Sequence, residues 1–476
     1  MSLQSPWLAE LVRTRPLKRL TQYHETDVVI VGAGIAGSMT AAFSLLDTKY
    51  RITILEGGRV GHGASGRNAG QMLTDFERPI AELVSDFGFD IVKAGLKNVE
   101  GAWELIKHLQ ETLNLQTPIH HAPGYDGFSA HEPFIEALEN LFWKREMELP
   151  WNEMRVAMGR IDTSTIPARY DGLWIEDTHE SILTDLETDD RTYFALVQIR
   201  VACTNSAQLS EEIIQSLLNR YHQRFAIFEE SPVTELHLER DAIYLKMKHC
   251  VVKAKQVVMC TNGFEHFRIF HHGRLDINGQ VHRDIRGLVS YMQAYLVPAF
   301  QPVKAMSYYT ASQISPDPND PSAAEAFTYL TRRPFKPKGQ GTEGLVCVGG
   351  PETALPEETA YDFEHNVPPR VRAEFENFLK GSPLGAHASA DNPTFEWHGL
   401  MGYTNARVRC VGREPCYANL LYNLGCNGIG IMTSIYGGKR IASLLNEKDD
   451  GGHLFDPKMH VCVLAKNTSE DDEAKN

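Results

Sequence analysis

Six residues near the start of the chain, 32–37 (GAGIAG), have the G-x-G-x-x-G spacing that suits a bound diphosphate. Gly32 permits a tight turn, Gly34 lets backbone N–H groups approach the phosphates, and Gly37 lets a helix pack closely on a strand. Glu56 comes 19 residues after Gly37, close to the spacing of about 20 expected for a carboxylate that accepts hydrogen bonds from ribose hydroxyls. We therefore predict a dinucleotide-binding site.

Two further glycine-rich segments are suited to the rest of such a cofactor. Residues 61–71 (GHGASGRNAGQ) combine flexible glycines with polar side chains that can wrap phosphates and approach an isoalloxazine ring. Residues 419–430 (NLLYNLGCNGIG) precede a helix predicted to begin around Ser434, and N–H groups at a helix N-terminus can stabilise negative charge on a reduced flavin. A small nicotinamide-binding fold has no need of the additional loop, so the pattern favours FAD over NAD.

The predicted strands and helices indicate how these segments come together. Residues 27–31 (DVVIV) and 51–55 (RITIL) are short β-branched runs, and residues 36–46 between them have the small and apolar composition of a buried helix. A strand, a glycine turn, a helix and a second strand form the first unit of a doubly wound parallel sheet. Apolar residues at helical spacing predict a further helix over 87–115.

The rest of the chain predicts more of the same sheet and then a second one. Residues 206–220 predict an amphipathic helix with Asn205 or Ser206 at its N-cap. Two short buried strands are predicted at 225–228 and 257–260, with a hairpin between them at 233–252. From 276 to 334 apolar residues alternate along the chain, which is typical of an antiparallel sheet. Residues 316–321 (PDPNDP) predict a loop insertion.

Taken together, the motifs resemble those of the D-amino-acid-oxidase superfamily of FAD-dependent oxidoreductases, above all the branch with glycine oxidase, sarcosine oxidase and γ-glutamylputrescine oxidase. Residues 63–70 (GASGRNAG) are close to the G-A-S-G-R-N-x-G of the γ-glutamylputrescine oxidase group, and residues 257–263 (VVMCTNG) are similar to the V-V-x-A-T-G strand. Residues 425–430 (GCNGIG) stand in place of the usual G-[FY]-S-G-H-G. The resemblance implies an α/β fold in which a Rossmann-like FAD-binding domain is interleaved with a mixed, largely antiparallel substrate domain.

The implied domains are discontinuous. We expect an N-terminal arm at 1–26 and a C-terminal extension with an acidic tail at 447–476. The FAD-binding domain is expected at 27–105, 193–275 and 393–446, and the substrate domain at 106–192 and 276–392. The arm carries basic residues but is interpreted as packed on the domain rather than as a transit peptide. The reason is that Glu10 and two prolines interrupt an amphipathic helix there.

The resemblance also implies which residues contact FAD. In the first turn and after the second strand they are Gly32, Gly34, Ile35, Ala36, Gly37, Glu56, Gly57, Gly63, Ala64, Ser65, Arg67, Asn68, Ala69, Gly70 and Gln71. The second adenine contact falls at Pro232 and Val233. Further contacts are implied at Thr261, Asn262, Gly263, Gly425, Cys426, Asn427, Gly428, Ile429, Gly430 and Ile431.

Departures from the family pattern concern the flavin linkage. Sarcosine oxidases attach the flavin through a cysteine before the final motif, but residues 397–403 (WHGLMGY) contain none. In the dimethylglycine dehydrogenase group a histidine of the second loop forms the bond, and the residue that corresponds to it here looks to be Arg67. We therefore expect non-covalent FAD. Cys426 is still a candidate for a covalent bond to the flavin. The alternative is that its small side chain simply packs under the ring.

A second departure concerns the substrate. Sarcosine-type enzymes bind the substrate carboxylate through a lysine two residues after the final G-H-G, and the corresponding residue here is Met432. Either the substrate lacks an α-carboxylate, as an amine or polyamine conjugate does, or another cation such as Arg332 or Arg333 binds it. Solvation at the surface is the alternative for at least one of these arginines.

Aromatic residues and one histidine are candidates for the walls of the pocket. We place His398, Tyr403 and Tyr291 in the catalytic region, and Tyr329 with Arg332 on the substrate side. Such rings can form an apolar or cation-binding wall. For each of them the alternative is a core aromatic or a hydrogen-bonded buried histidine.

The chemistry that the resemblance implies is oxidation of an amine or amino acid. A hydride moves from the carbon that bears nitrogen to flavin N5, the imine hydrolyses, and O2 reoxidises the flavin. The reaction needs a neutral amine aimed at the ring more than a strong base, so we expect no catalytic triad. Two alternatives stay open: a dehydrogenase that reduces a quinone or an electron-transfer protein, and a non-catalytic flavoprotein serving in assembly, since Asn427 and Ile429 replace the common serine and histidine.

The composition limits partners and compartment. In 476 residues, 47 Lys and Arg stand against 61 Asp and Glu, a net charge of −14, which disfavours nucleic-acid binding. The eight cysteines include no C-x-x-C pair and the paired histidines are adjacent rather than i, i+4, so we expect no metal site. The sequence has neither a run of 18 apolar residues nor the pattern of a secretory signal, and we expect a cytoplasmic location.

Overall fold

The computed structural model describes residues 4–264, 267–271, 274–275, 285–297, 302–310, 327–336, 342–355, 361–364, 366–382, 384, 388, 393–448 and 453–457. Its α-helices are α1 Pro6–Glu10, α2 Ile35–Asp47, α3 Ile80–Phe87, α4 Phe89–Glu100, α5 Ala102–Leu113, α6 His131–Glu146, α7 His179–Leu186, α8 Ser206–Arg220, α9 Pro369–Lys380 and α10 Ile431–Leu445. Short 3-10 helices lie at Ala64–Gly66, Thr163–Thr165, Ala168–Tyr170 and His453–Phe455.

The strands form two sheets. They are β1 His24–Val31, β2 Ile52–Leu55, β3 Gln71–Met72, β4 Ile119–Phe128, β5 Met154–Ala157, β6 Trp174–Asp177, β7 Ala195–Thr204, β8 Phe225–Phe228, β9 Glu235–Leu238, β10 Ile243–Lys246, β11 Val251–Met259, β12 Arg268–His271, β13 Arg274–Leu275, β14 Ile285–Val297, β15 Lys304–Tyr309, β16 Phe327–Phe335, β17 Glu343–Ala354, β18 Phe395–Thr404, β19 Cys410–Glu414 and β20 Tyr417–Leu424.

Parallel pairing between distant segments forms the centre of the first sheet. β1 lies between β2 and β11, with Val29 opposite Thr53 on one side and Val257 on the other. β8 pairs with β2 and β20 pairs with β11, both in parallel, and the hairpin of β9 and β10 continues antiparallel from β11. Since parallel strands end at one edge of a sheet, the segments that follow β1, β2, β11 and β20 lie close together there.

Helices α2, α4, α5, α8 and α10 cover one face of this sheet. Their apolar sides share a core with the β-branched strand residues, including Ile30, Phe43, Leu217 and Ile435. The single helix predicted over 87–115 is two helices, α4 and α5, because the chain is interrupted at Gly101, a residue about 1 kcal/mol less favourable in a helix than alanine.

The second sheet has the strand order β18-β14-β17-β16-β15-β4-β7-β5-β6, with β3 paired to β7. The predicted antiparallel pattern is confirmed at β14, β16 and β17, whereas β15 also pairs in parallel with β4. Helices α6, α7 and α9 pack around it, with Phe134, Leu183 and Phe375 in its core. The predicted loop at 316–321 lies outside the described residues.

The N-terminal arm packs against the rest of the chain. Trp7 in α1 is fully buried, at 0% exposure, in a small cluster with residues of the second sheet. Arg15 forms ion pairs with Glu211 of α8 at 2.7 Å and with Glu229 at 2.6 Å. Arg13, Arg15 and Arg19 of the arm therefore form internal ion pairs, whereas Lys18 lies over the ring of Phe228.

The two sheets divide the chain slightly differently from the predicted domain ranges. β7 and β18 fall within ranges expected for the FAD-binding domain, yet both pair with strands of the second sheet. Each is a long strand of the second sheet after which the chain continues into the first sheet, so composition alone does not show to which sheet the strand belongs. In the described part of the chain, no helix is both long and apolar enough to cross a membrane.

Candidate active site

A cavity of about 1390 Å³ lies along the edge at which the parallel strands of the first sheet end, and the second sheet supplies the remaining wall. Many residues expected to contact the cofactor line it. They are Gly32, Gly34, Ile35, Ala36, Glu56, Gly57, Gly63, Ala64, Ser65, Arg67, Asn68, Ala69, Gly70, Gln71, Val233, Thr261, Asn262, Cys426, Gly428, Ile429, Gly430 and Ile431. Gly37, Gly263, Gly425 and Asn427 are not part of the lining.

The turn between β1 and α2 is tight because its glycines leave no room for side chains. Gly32 has a φ of +103°, and a Cβ there would lie 2.7 Å from the carbonyl oxygen of Cys260. A Cβ on Gly34 would lie 2.9 Å from Ser65 Oγ, which accepts a hydrogen bond from the Ile35 N–H at 2.8 Å. The turn brings the cavity directly against the N-terminus of α2, where helix amides attract anions.

Glu56 follows β2 and joins the next loop to this turn. Its two carboxylate oxygens accept hydrogen bonds from the N–H groups of Ala33 and Gly58, each at 2.7 Å. Burial raises the pKa of Glu56, and the two hydrogen bonds oppose that effect. Gly57 lies beside Pro232, since a Cβ on it would be 3.7 Å from Pro232 Cβ, so the acidic residue and the expected adenine contact are neighbours.

The second glycine-rich loop is held from within and from behind. Asn68 donates from Nδ2 to Ala64 O at 3.1 Å and to Ser206 Oγ at 2.8 Å, and its Oδ1 accepts from the Gly70 N–H at 2.8 Å. The indole N–H of Trp7 donates to the carbonyl oxygen of Asn68. The Asn68 side chain therefore fixes the shape of the loop along the cavity.

Arg67 is a buried cation with an unused donor. Its side chain is 9% exposed and its guanidinium lies over the ring of Phe363, 4.4 Å from the centroid. The Nη1 atom has no hydrogen-bond partner. Burial first, and then the charge of Arg67, lower the pKa of His62 to about 4, so that histidine is neutral at neutral pH. An unpaired buried donor is costly unless a bound molecule supplies an acceptor.

The loop before α10 is built by its polar side chains. Asn427 is 5% exposed and turns inward, where its Oδ1 accepts from the Thr404 N–H at 2.8 Å. The Cys426 N–H donates to Asn262 Oδ1 at 2.9 Å. The helix begins at Ile431, three residues before the predicted Ser434, because the glycine-rich loop ends in helical geometry at Gly430. The N-terminus of α10 thus lies against the cavity.

Sequence reasoning missed Glu77, which lies beside this loop. Gly428 has a φ of +73°, and a Cβ there would overlap the Glu77 carboxylate. The hydroxyl of Tyr403 donates to Glu77 Oε2 at 2.7 Å. Glu77 belongs to no motif, and only the tertiary fold brings it to the N-terminus of α10.

A second acidic residue, Glu352 of β17, lies in the same region. Its Oε2 atom is inaccessible and has no hydrogen-bond partner. Burial first, and then the charge of Glu77, raise the pKa of Glu352 well above its usual range, and the charge of Arg407 opposes the rise. Two carboxylates that influence each other in this way ionise together only where a cation offsets their repulsion, and the charge of Arg407 supplies part of that offset. This pair was also not predicted.

Four aromatic rings line the cavity along β4, β15 and β16. Phe128 stacks on Tyr309 with ring centroids 5.2 Å apart, Tyr309 on Phe327 at 5.4 Å, and Phe327 meets Tyr329 at 5.7 Å. Tyr329 was predicted on the substrate side and lines the cavity. Such a wall offers ring faces to a cation or to an alkyl chain.

The three residues expected in the catalytic region are not part of the cavity lining. His398 is 2% exposed and its Nδ1 pairs with the Tyr361 hydroxyl at 2.7 Å. Tyr291 is fully buried and its hydroxyl pairs with Thr353 Oγ1 at 3.0 Å. Tyr403 reaches the cavity indirectly, through Glu77. The structure thus places His398 and Tyr291 in the alternative roles, as a hydrogen-bonded histidine and a core aromatic.

The expected substrate cations are engaged elsewhere, which corrects their predicted exposure. Arg332 is 6% exposed and pairs with Glu187 at 2.8 Å, and Arg333 is 5% exposed and pairs with Glu10 at 2.5 Å. Neither lines the cavity, because each binds a carboxylate from a distant segment. Met432 is fully buried within α10 and does not line the cavity either.

One cation near the cofactor segments was also missed. Arg409, just before β19, is 3% exposed and lines the cavity. Its Nε donates to Asn423 Oδ1 at 2.7 Å and its Nη2 to Asn423 O at 3.0 Å. A lone arginine after a turn carries no sequence signal of such a role. Among the described residues, no cluster of His, Cys, Asp and Glu has the arrangement of a metal site.

These features fit a bound dinucleotide. The glycine turn leaves a cradle that a Cβ would fill, two helix N-termini lie at the cavity, and Arg67 Nη1 and Thr261 Oγ1 are buried without a partner. A parallel sheet with a glycine turn at its carboxyl edge is the fold of a dinucleotide-binding protein. The chain belongs to the family of FAD-dependent oxidoreductases named DAO, whose model matches residues 27–444. This confirms the resemblance at the family level, and FAD is the cofactor of that family.

Individual relatives are similar to this chain over different lengths. The Probable oxidoreductase OrdL of Haemophilus influenzae is 44% identical over 71 residues, 15% of this chain and 16% of its own length. The Gamma-glutamylputrescine oxidoreductase of Escherichia coli is 32% identical over 89 residues, 19% of this chain and 21% of its own. The crystal structure of glycine oxidase from Geobacillus kaustophilus has a TM-score of 0.62 and 15% identity, and covers 90% of this chain and 96% of that one.

Proposed function

We propose that this protein oxidises the carbon–nitrogen bond of an amine that carries no α-carboxylate, with O2 as the final electron acceptor. The observation that carries the proposal is the pair of carboxylates, Glu77 and Glu352, beside the loop that precedes α10. FAD held in this cavity would supply a hydride acceptor, with O2 taking up the two electrons as hydrogen peroxide. The substrate leaves as an imine, which water hydrolyses to a carbonyl compound and an amine or ammonia.

The cofactor is held, in this proposal, by the residues that line one end of the cavity. The turn at Gly32 and Gly34 takes the diphosphate, Glu56 accepts from the ribose, and the loop ending at Gly430 takes the ring. We expect non-covalent binding. Cys426 lines the cavity, but burial raises the pKa of its thiol, so little of the nucleophilic thiolate is present at neutral pH.

The carboxylate pair gives the substrate site a preference for a cation. An alkylammonium placed between Glu77 and Glu352 relieves their mutual repulsion and donates to the Glu352 carboxylate. Glu352 also has the raised pKa that suits its carboxylate to take a proton from that ammonium, which leaves the neutral amine needed for hydride loss. Tyr403 holds Glu77 in place through its hydroxyl.

The aromatic wall completes the site. Phe128, Tyr309, Phe327 and Tyr329 present a continuous apolar surface that excludes water from the reacting carbon and packs along an alkyl chain. Met432, at the position that corresponds to the carboxylate-binding lysine of sarcosine-type enzymes, is buried and apolar. These observations support an amine over an α-amino acid.

A second candidate substrate is an amino acid, which one observation favours. Arg407 lines the cavity and its charge acts on Glu352, so a substrate carboxylate has a possible partner there. The name of the Escherichia coli relative refers to γ-glutamylputrescine, a compound with both an amine end and a distant carboxylate. Such a compound satisfies the carboxylate pair at one end and an arginine at the other, and belongs among the substrates to be tested.

The test is anaerobic mixing of the purified flavoprotein with primary and secondary amines, γ-glutamylputrescine, α-amino acids and N-methyl amino acids, followed by loss of flavin absorbance. We expect an amine to reduce the flavin, and hydrogen peroxide to form once O2 is admitted. Protein that stays colourless after incubation with FAD, or flavin that no compound reduces, would contradict it. Reduction without peroxide would assign the electrons to another acceptor, and preference for α-amino acids would favour the second candidate.

Two variants sharpen this test. Glu352→Gln keeps the shape of the side chain and removes the charge that pairs with the ammonium, so the dissociation constant of the amine should rise about tenfold to a hundredfold, as expected for about 1.5–3 kcal/mol. Glu374→Gln removes a carboxylate from the same cavity but outside the pair with Glu77, and should change binding by less than about twofold. Equal effects of the two variants would argue against a specific cation site.

A further inference from the structure

Arg409, like Arg67, differs from the other buried arginines of this chain because it forms no ion pair within the described residues. Arg15, Arg332, Arg333 and Arg440 each form an ion pair, with Glu211, Glu187, Glu10 and Asp456, respectively. Arg409 is 3% exposed and forms no ion pair within the described ranges. Its hydrogen bonds go to Asn423, a neutral residue, from Nε and Nη2.

A buried cation of this kind is costly without an anion. Removing an ion from water costs several kcal/mol even after the protein relaxes, and neutral amides recover only part of that. Burial lowers the pKa of Arg409 to about 10, so the group is still a cation at neutral pH. The fold therefore keeps a positive charge at a place where its own residues do not neutralise it.

The surroundings of Arg409 show where the missing anion belongs. The titratable groups that act on it are the thiols of Cys426, Cys260 and Cys410. Burial raises the pKa of Cys260 to about 12 and also raises that of Cys426, so these thiols are neutral. Cys426 lies in the loop before α10, and the guanidinium lines the cavity next to it.

Asn423 fixes the guanidinium in this position. Its Nδ2 donates to Thr40 Oγ1 of α2 at 3.0 Å, and a Cβ on Gly437 of α10 would overlap its side chain. The amide is thus clamped between two helices, and Arg409 takes its direction from it. A cation set this rigidly is preorganised for charge that develops at the N-terminus of α10.

We propose that Arg409 supplies positive charge which, together with the N-terminus of α10, stabilises the reduced, anionic flavin and so raises the reduction potential of the protein. When a hydride is transferred, the substrate C–H bond breaks, the N5–H bond forms, and the ring gains one negative charge at its N1–C2=O edge. Arg409 lines the cavity near Cys426, a residue of the loop assigned to that edge. The inference rests on the proposed placement of the ring but not on the identity of the substrate.

The experiment uses sulfite, which adds to N5 of oxidised flavin and places the same negative charge on the ring without any substrate. Arg409→Gln should bind FAD, weaken sulfite binding at least tenfold, and lower the two-electron midpoint potential by at least about 30 mV, the equivalent of tenfold. Arg409→Lys should stay within about threefold of the parent. Arg370→Gln removes a positive charge from an exposed residue of the same cavity and should leave both values unchanged.

A second variant keeps the test decisive if Arg409→Gln does not fold. Asn423→Asp leaves the arginine in place and gives it a carboxylate, and should weaken sulfite binding in the same direction. Unchanged sulfite affinity and potential in these variants would overturn the proposal. Weaker FAD binding with an unchanged potential would overturn it too and assign Arg409 to the diphosphate. Failure to bind FAD at all in the parent protein would instead contradict the proposed function.

Discussion

Trp7 offers a direct test of how the N-terminal arm supports the cofactor loop. The side chain is fully buried and its indole N–H donates to Asn68 O. A Cβ on Gly70 would lie 2.6 Å from the indole ring, and the guanidinium of Arg333 lies 4.2 Å from the ring centroid. The residue thus connects the second glycine-rich loop to the second sheet.

Trp7→Ala should destabilise the protein by about 4 kcal/mol. Truncation of a fully buried tryptophan costs about 3–5 kcal/mol, and the lost hydrogen bond to Asn68 costs about 1 kcal/mol, terms that overlap in part. Because the cavity that results adjoins Asn68 and Gly70, part of the loss should appear in cofactor binding. We expect the dissociation constant of FAD to rise at least tenfold, which corresponds to about 1.4 kcal/mol.

The assays are urea unfolding followed by far-UV circular dichroism and titration of the apoprotein with FAD followed by flavin fluorescence. Trp7→Phe keeps most of the ring and should cost about 1 kcal/mol, mainly the hydrogen bond. Val12→Ala, in the same arm at a side chain that is 47% exposed, should change stability by less than about 0.5 kcal/mol. If Trp7→Ala kept FAD affinity within twofold and matched Val12→Ala in stability, the arm would have no role in shaping the loop.

Three further outcomes are expected. Gly34→Val places side-chain atoms 2.9 Å or less from Ser65 Oγ and should abolish measurable FAD binding in fluorescence titration while leaving the circular dichroism spectrum intact. Burial raises the pKa of Asp126 from its ordinary 3.8 to about 7, so the stability it confers is complete below about pH 4 and is lost as pH rises towards 7; Asp126→Asn should therefore raise the melting temperature relative to the parent more at pH 8 than at pH 5. Acid precipitation should release all the flavin from the parent protein and equally from Cys426→Ser, and flavin retained in the pellet of the parent alone would show a covalent bond.

Local patterns in the sequence predict the cofactor half of the molecule well. The strand, the glycine turn and the helix after it are encoded within a few residues of one another, and Gly32 and Gly34 lie where the motif places them. The acidic residue at the end of the second strand, Glu56, lies next to the turn for the same reason. Spacing along a β–α–β unit translates directly into distance in space.

The substrate site is formed by contacts between distant segments, and these contacts leave no local pattern in the sequence. Glu77 and Glu352 are separated by most of the chain, and neither belongs to a motif. Tyr291 and His398 lie on β14 and β18, strands that are buried on both faces, so alternation does not tell which face meets the cavity. The sequence around Arg332 alone suggests an exposed side chain, but the fold buries it and brings Glu187 to it.

The selectivity of the protein for amines can be measured with two compounds that differ only in an α-carboxylate. The rate of anaerobic flavin reduction by 1,5-diaminopentane and by lysine should be measured with the parent protein and with Glu352→Gln. We predict faster reduction by the diamine and loss of that preference in Glu352→Gln, since the carboxylate pair selects a cation without a neighbouring anion. Faster reduction by lysine, or a preference for the diamine that survives in Glu352→Gln, would contradict it.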